Sequence, residues 1–168
     1  TGVQTCALPI YGGLYTMPSF DEARFDYREI LNLDTFSMSA RILAKLLPDF
    51  SEQEMASLVR AGYGGKFESD HLTPSVPVGE DFILELFRGP TSAFKDVALS
   101  MLPRLMTAAK EKCGVSDEIL ILTATSGDTG KAAMEGFCNV PGTKIVVFYP
   151  YGGVSAVQQA RSEEHTSE

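Results

Sequence analysis

Two stretches decide how this chain is read: Asp81-Phe-Ile-Leu-Glu-Leu-Phe-Arg-Gly-Pro-Thr-Ser-Ala-Phe-Lys-Asp96, and Glu118-Ile-Leu-Ile-Leu-Thr-Ala-Thr-Ser-Gly-Asp-Thr-Gly130. Phe82 to Phe87 is a short apolar run closed by Arg88-Gly89-Pro90, the pattern of a strand ending in a turn. Thr91 is placed to cap a helix. Phe94, Val97, Ala98, Met101, Leu102, Leu105 and Met106 then recur at helical spacing, predicting a helix over 92–112 with Lys95 in or near its first turn. A helix N-terminus carries partial positive charge, so a cation there is disfavoured by about 0.3–1 kcal/mol. The same field favours the neutral, nucleophilic amine. On its own, Lys95 is better explained by a side chain reaching solvent.

The second stretch changes that balance. Glu118 to Thr125 is apolar on both faces, as expected of a strand in a covered parallel sheet. Ser126 to Gly130 then turns into a helix predicted over 130–138, and a strand follows over 144–149. Backbone N–H groups and hydroxyls at such a strand-to-helix turn suit an anion. The turn is not a Walker A loop, because Thr125 stands where the first glycine belongs and Ala132 where a magnesium-binding Ser or Thr would be. Strand, helix, strand, helix, strand implies an α/β fold with a parallel sheet, whose ligands sit at the carboxyl ends of the strands. Thr91–Lys95 and Ser126–Thr129 are both expected at such ends, where one bound molecule could touch both.

The chain has 168 residues, a net charge of −8, 44% hydrophobic and 21% charged residues. That is an ordinary globular composition, and its acidity disfavours nucleic acid as a partner. No apolar run has the length of a membrane span. Cys6, Cys113 and Cys138 lack metal-ligand spacing and suggest a reducing, cytoplasmic setting; His71 and His165 have no metal partners in sequence, so no metal is expected. Upstream, Ser39–Leu47 places Ile42, Leu43, Leu46 and Leu47 on one stripe ahead of Pro48. Ser51-Glu-Gln-Glu54 is a capping box opening a helix with Met55, Leu58, Val59 and Tyr63 inward and Gly62, Gly64 and Gly65 at its end. Residues 67–77 are expected to form a loop.

Leu86-Phe-Arg-Gly-Pro-Thr-Ser-Ala-Phe-Lys-Asp96 with Ala124-Thr-Ser-Gly-Asp-Thr-Gly130 resembles threonine synthase, of the fold-type II, tryptophan synthase β-like group of pyridoxal-phosphate enzymes. Gly12-Gly13-Leu14-Tyr15, residues 27–77 and Val147-Phe148-Tyr149-Pro150 extend the resemblance over about residues 11–160. It implies a helical N-terminal region followed by part of a three-layer αβα sheet domain. It also implies pyridoxal 5'-phosphate as cofactor, bound covalently to Lys95, which would later move protons at the substrate α- and β-carbons. Phe94 and Asp128 would contact the cofactor, Asp128 near its ring hydroxyl. Thr125, Ser126, Gly127 and Thr129 would hold the substrate carboxylate or phosphate. The implied reaction converts O-phospho-L-homoserine and water to L-threonine and phosphate. A serine or threonine ammonia-lyase of the same group, and a phosphate-binding α/β module without covalent chemistry, are the alternatives.

Three features depart from the family pattern. Tyr151–Ala156 lacks its basic residues and Ser-Pro pair, Pro103 lies inside the lysine-bearing helix, and no downstream glycine-rich phosphate loop is present. Residues 1–10 and 161–168 resemble translated adapter sequence and are expected to be non-native tails. They flank a mainly helical region over 11–80 and a partial α/β, cofactor-binding domain over 81–160. The 168-residue chain alone is accordingly expected to bind the cofactor weakly and turn nothing over. Oligomeric state is not legible.

Overall fold

A computed structural model describes residues 21, 24–125 and 127–150. The expected tails, the Tyr151–Ala156 loop and Ser126 lie outside the described residues. After a single 3-10 turn at Tyr27–Glu29, helix α1 covers Thr35–Leu46 and α2 covers Glu52–Tyr63. Strands β1 (Ser75–Val78) and β2 (Asp81–Leu84) follow, then α3 (Asp96–Lys112), β3 (Ile119–Ala124), α4 (Asp128–Phe137) and β4 (Thr143–Phe148).

Helix α1 begins earlier than its apolar stripe suggests because Asp34 accepts from the Phe36 and Ser37 N–H groups at 3.0 and 3.1 Å. That satisfies donors a helix start otherwise leaves unpaired. The α2 capping box forms as read: Ser51 Oγ accepts from Glu54 N–H at 3.2 Å, and Ser51 N–H donates to Glu54 Oε2 at 2.7 Å. Lys112, ending α3, reaches the other oxygen of Glu54 at 2.7 Å, tying two helices together. The Lys112 hydrogen bond, followed by those from Ser51, pulls the Glu54 carboxyl down from 4.5 to about 2. A depressed carboxyl stabilises the fold above its unfolded value, and the contribution is lost as pH falls through the folded one. Unfolding midpoints should therefore drop from about pH 4.5 towards pH 2, and Glu54→Gln should flatten that part of the profile. An unchanged acid limb in the variant would contradict the pairing. The pair is solvent-exposed, so salt should weaken it.

Met55 and Val59 of α2 are fully buried, with Ala40, Tyr63, Leu72 and Met101 completing the core. Burial pushes the Tyr63 phenol up to about 12, and its hydroxyl donates to the Val97 carbonyl at 2.9 Å. Leu46 departs from the expected stripe and is 38% exposed. Gly62 is not a terminator but lies within α2, where a Cβ would meet Met101 Sδ at 2.7 Å and the Ser100 carbonyl oxygen at 3.1 Å.

Helix α3 runs unbroken through Pro103, which is fully buried. Proline has no N–H for the carbonyl four residues back, a loss of about 3 kcal/mol in a helix interior. That carbonyl belongs to Leu99, and Gly136 of α4 packs directly onto it, with no room for a Cβ. Proline and glycine thus serve one close helix crossing. Alanine would gain about 1 kcal/mol over glycine in an ordinary helix. Here the clash is with backbone that cannot swing aside, and overpacking costs about 1–3 kcal/mol. Gly136→Ala should therefore lower stability by up to about 2 kcal/mol net in denaturant titration; a raised midpoint would mean the helices are not so close.

The sheet differs from expectation in one respect. Strands β3 and β4 pair in parallel from Ile119↔Thr143 to Ala124↔Phe148, joined by α4. The anticipated first strand, 82–87, is not a third member among the described residues. Only its beginning is extended, as β2, which pairs antiparallel with β1 from Ser75↔Leu84 to Val78↔Asp81. A two-residue loop with Gly79 at φ 63° closes this hairpin. Local antiparallel closure needs two residues, whereas a parallel partner needs a long crossover. Pro77 sits in β1, the kind of edge strand that tolerates a missing N–H. The α/β class holds; the parallel sheet has two strands among the described residues.

Candidate functional site

Lys95 stands one residue before α3, at its N-cap, rather than inside the first turn. The reason lies in the preceding loop. Asp96, the first helical residue, is only 2% exposed, and its carboxylate turns back into the loop. It accepts from Thr91 N–H at 2.8 Å and from Thr91 Oγ1–H at 2.6 Å. Thr91 therefore does not cap the helix, as its sequence position suggested; its donors are taken by Asp96. Ser92 adopts φ 58°, a left-handed conformation that ends any helix begun there and costs a non-glycine residue about 1–2 kcal/mol. Gly89 makes the closure possible, since a Cβ there would lie 2.5 Å from Asp96 Oδ2.

The Lys95 side chain is half-buried, with Nζ 4.7 Å from the centroid of the Phe94 ring. Phe94 is itself 61% exposed. Among the described residues no carboxylate forms an ion pair with Lys95, while most of the other surface cations that pair do so at 2.7–3.1 Å. Its own neighbour Asp96 is committed elsewhere.

At the second stretch, β3 ends at Ala124, and Thr125 N–H continues the ladder by donating to the Phe148 carbonyl at 2.9 Å. Thr125 Oγ1 accepts from Gly127 N–H at 3.3 Å, closing a small bend. Gly127 is the N-cap of α4 and offers no side chain to its first amides. Gly130 and Lys131 N–H both return to the Gly127 carbonyl. The N–H groups of Asp128 and Thr129 have no acceptor among the described residues. Asp128 is exposed and Thr129 half-buried. Gly130 must be glycine because the methyls of Thr125 and Val147 occupy the place of a Cβ.

The bend thus lies at the carboxyl end of a parallel strand, as expected. The Lys95 loop does not follow a strand of that same sheet, because β2 belongs to the separate hairpin. No hydrogen bond or ion pair among the described residues joins Lys95 or Phe94 to Thr125, Gly127, Asp128 or Thr129. Their connection runs through α3 and α4, which meet where Gly136 touches Leu99, one turn beyond Lys95. Among the described residues, no group of three or more His, Cys, Asp or Glu could hold a metal, and no helix is long and apolar enough to cross a membrane.

No family model matches the chain. Among solved structures, it is similar to pyridoxal-phosphate-bound threonine synthase from Brucella melitensis, with a TM-score of 0.69 and 38% identity over 82% of this chain and 30% of that one. It is also similar to the yeast enzyme, with a TM-score of 0.78 and 29% identity over 89% of this chain and 32% of that one. The fold is therefore that of the fold-type II group. Among curated proteins, threonine synthase of Escherichia coli K12 is 37% identical over 147 residues, 86% of this chain and 32% of that protein. Threonine synthase of Saccharomyces cerevisiae is 33% identical over 163 residues, 88% and 32% of the respective chains. The chain is a homologue of the threonine synthases and spans about a third of their length.

Proposed function

We propose that this chain contributes the lysine-bearing part of a threonine synthase, which converts O-phospho-L-homoserine and water to L-threonine and phosphate with pyridoxal phosphate at Lys95. The observation that carries the reading is a half-buried lysine at the start of α3, its amine unpaired by any described acid, on a loop that a buried carboxylate holds closed. Similarity to threonine synthases over most of the chain supplies the substrate class.

The residues present fit the cofactor's chemistry. An aldehyde takes a primary amine that is free of a salt bridge, and an anionic group takes unpaired N–H groups at a helix start. When bound, pyridoxal phosphate supplies an electron sink at the substrate α-carbon. Lys95 would hold it covalently and, once displaced by the substrate amine, move protons at the α- and β-carbons. The exposed Phe94 ring would border the cofactor, and Asp128 would face its ring hydroxyl. Thr125, Ser126, Gly127 and Thr129 would orient the substrate carboxylate or phosphate, Thr129 through its backbone N–H group. Free, exposed Cys113 and Cys138 accord with a reducing cytoplasm.

The test is chemical. Protein incubated with excess pyridoxal phosphate and reduced with borohydride should carry the pyridoxyl group on Lys95, located by peptide mass spectrometry. Labelling spread evenly over the lysines would reject the assignment.

A further inference from the structure

We propose that Asp96 is the positioning residue for Lys95, acting through the loop from Gly89 to Phe94 rather than by touching any ligand. This rests on the reading of Lys95 given above. A carboxylate that is 2% exposed and has no cationic partner among the described residues needs a reason to be buried. Its reason here is geometric. Both oxygens are used, one on the Thr91 amide and one on the Thr91 hydroxyl, so the loop is pinned at two points. Gly89 leaves the space that the carboxylate fills. Ser92 is held at φ 58° inside the closed loop, and the Ser92 N–H returns to the Gly89 carbonyl at 3.1 Å.

With residues 89–96 closed, the peptide carrying Lys95 has one orientation at the mouth of α3. The burial of Asp96 also keeps the nearest carboxylate from pairing with the Lys95 amine. Were Asp96 to swing outward, the loop would open and the amine would gain an acidic neighbour. The two adjacent residues thus have opposite tasks, one reactive and outward, the other inward and fixed.

Reductive pyridoxylation of the whole chain measures this through selectivity, the labelling of Lys95 relative to Lys45 in the same molecule. A general loss of structure changes both lysines; loss of positioning changes only the ratio. Asp96→Ala should lower the ratio about tenfold or more, since misplacement by an ångström can cost a hundredfold. Asp96→Asn should restore it, because an amide can still accept from the Thr91 N–H and donate to its hydroxyl. Gly89→Ala and Thr91→Val attack the same clamp from its other sides and should lower the ratio too. If Asp96→Ala does not fold, as judged by circular dichroism, these two variants decide the matter. An unchanged ratio in folded Asp96→Ala, or in both Gly89→Ala and Thr91→Val, overturns the proposal. So does a ratio that Asp96→Asn fails to restore. Should the unmodified protein show no preference for Lys95, the reading of Lys95 falls and this one with it.

Discussion

Met55→Ala is expected to lower the stability of the folded chain by about 2–5 kcal/mol, the cost of removing a large buried side chain that its surroundings cannot collapse around. Met55 is 0% exposed and sits in the core with Ala40, Val59, Tyr63, Leu72 and Met101. Domains of this size have about 5–15 kcal/mol in total, so one substitution removes a large share. Leu46→Ala is the control. Leu46 belongs to the apolar stripe read for α1 but is 38% exposed, and should cost less than about 1 kcal/mol. Equal losses in urea titration would show that the core is not organised around α2.

Lys95→Ala is expected to abolish selective attachment of pyridoxal phosphate altogether, because no other amine occupies the start of α3. Lys95→Arg should abolish it equally, although the charge is kept. A guanidinium remains protonated and cannot act as a nucleophile. This second variant separates the two chemical readings of the site. If the bend at 125–129 binds phosphate unaided and Lys95 is a counter-charge, arginine should preserve binding, as followed by the cofactor's absorbance on equilibrium dialysis. If Lys95 forms the covalent link, arginine should fail as completely as alanine. Retained, saturable binding in Lys95→Arg would favour the non-covalent module.

What the sequence made legible was mostly local. The capping box at Ser51–Glu54 and the β3–α4–β4 unit follow from caps and periodicity, and both formed within a residue or two of expectation. The bend at Thr125–Gly130 was equally plain, because glycines and hydroxyls at a strand end have few other uses. The start of α3 was misjudged for a physical reason. Thr91 carries the chemistry of an N-cap, but its N–H and hydroxyl donate to Asp96, five residues on. Asp96 in turn looked like a charge suited to a helix start, and its inward role depends on the space beside Gly89, which no local pattern reveals. The partner of Phe82–Leu84 was misread for a similar reason. An apolar run declares that it will be extended, not which strand it will join. The Gly79-Glu80 turn ahead of it was the available signal.

The Pro103–Gly136 crossing shows how two residues that look unfavourable singly can answer each other. Proline frees the Leu99 carbonyl, and glycine alone lets α4 lie against it. The contact sits one turn from Lys95 and about two turns from the start of α4, so the same crossing that holds α4 on α3 bears on the distance from Lys95 to the bend.

That distance is the centre of the account, and amide NMR reads it most directly. With pyridoxal phosphate reduced onto Lys95 of isotope-labelled protein, the amide resonances of Gly127, Asp128 and Thr129 should shift, while those of α2 residues such as Leu58 stay in place. Modification confirmed at Lys95 with the 127–129 amides unmoved would contradict it, for the amine and the bend would then serve different ligands.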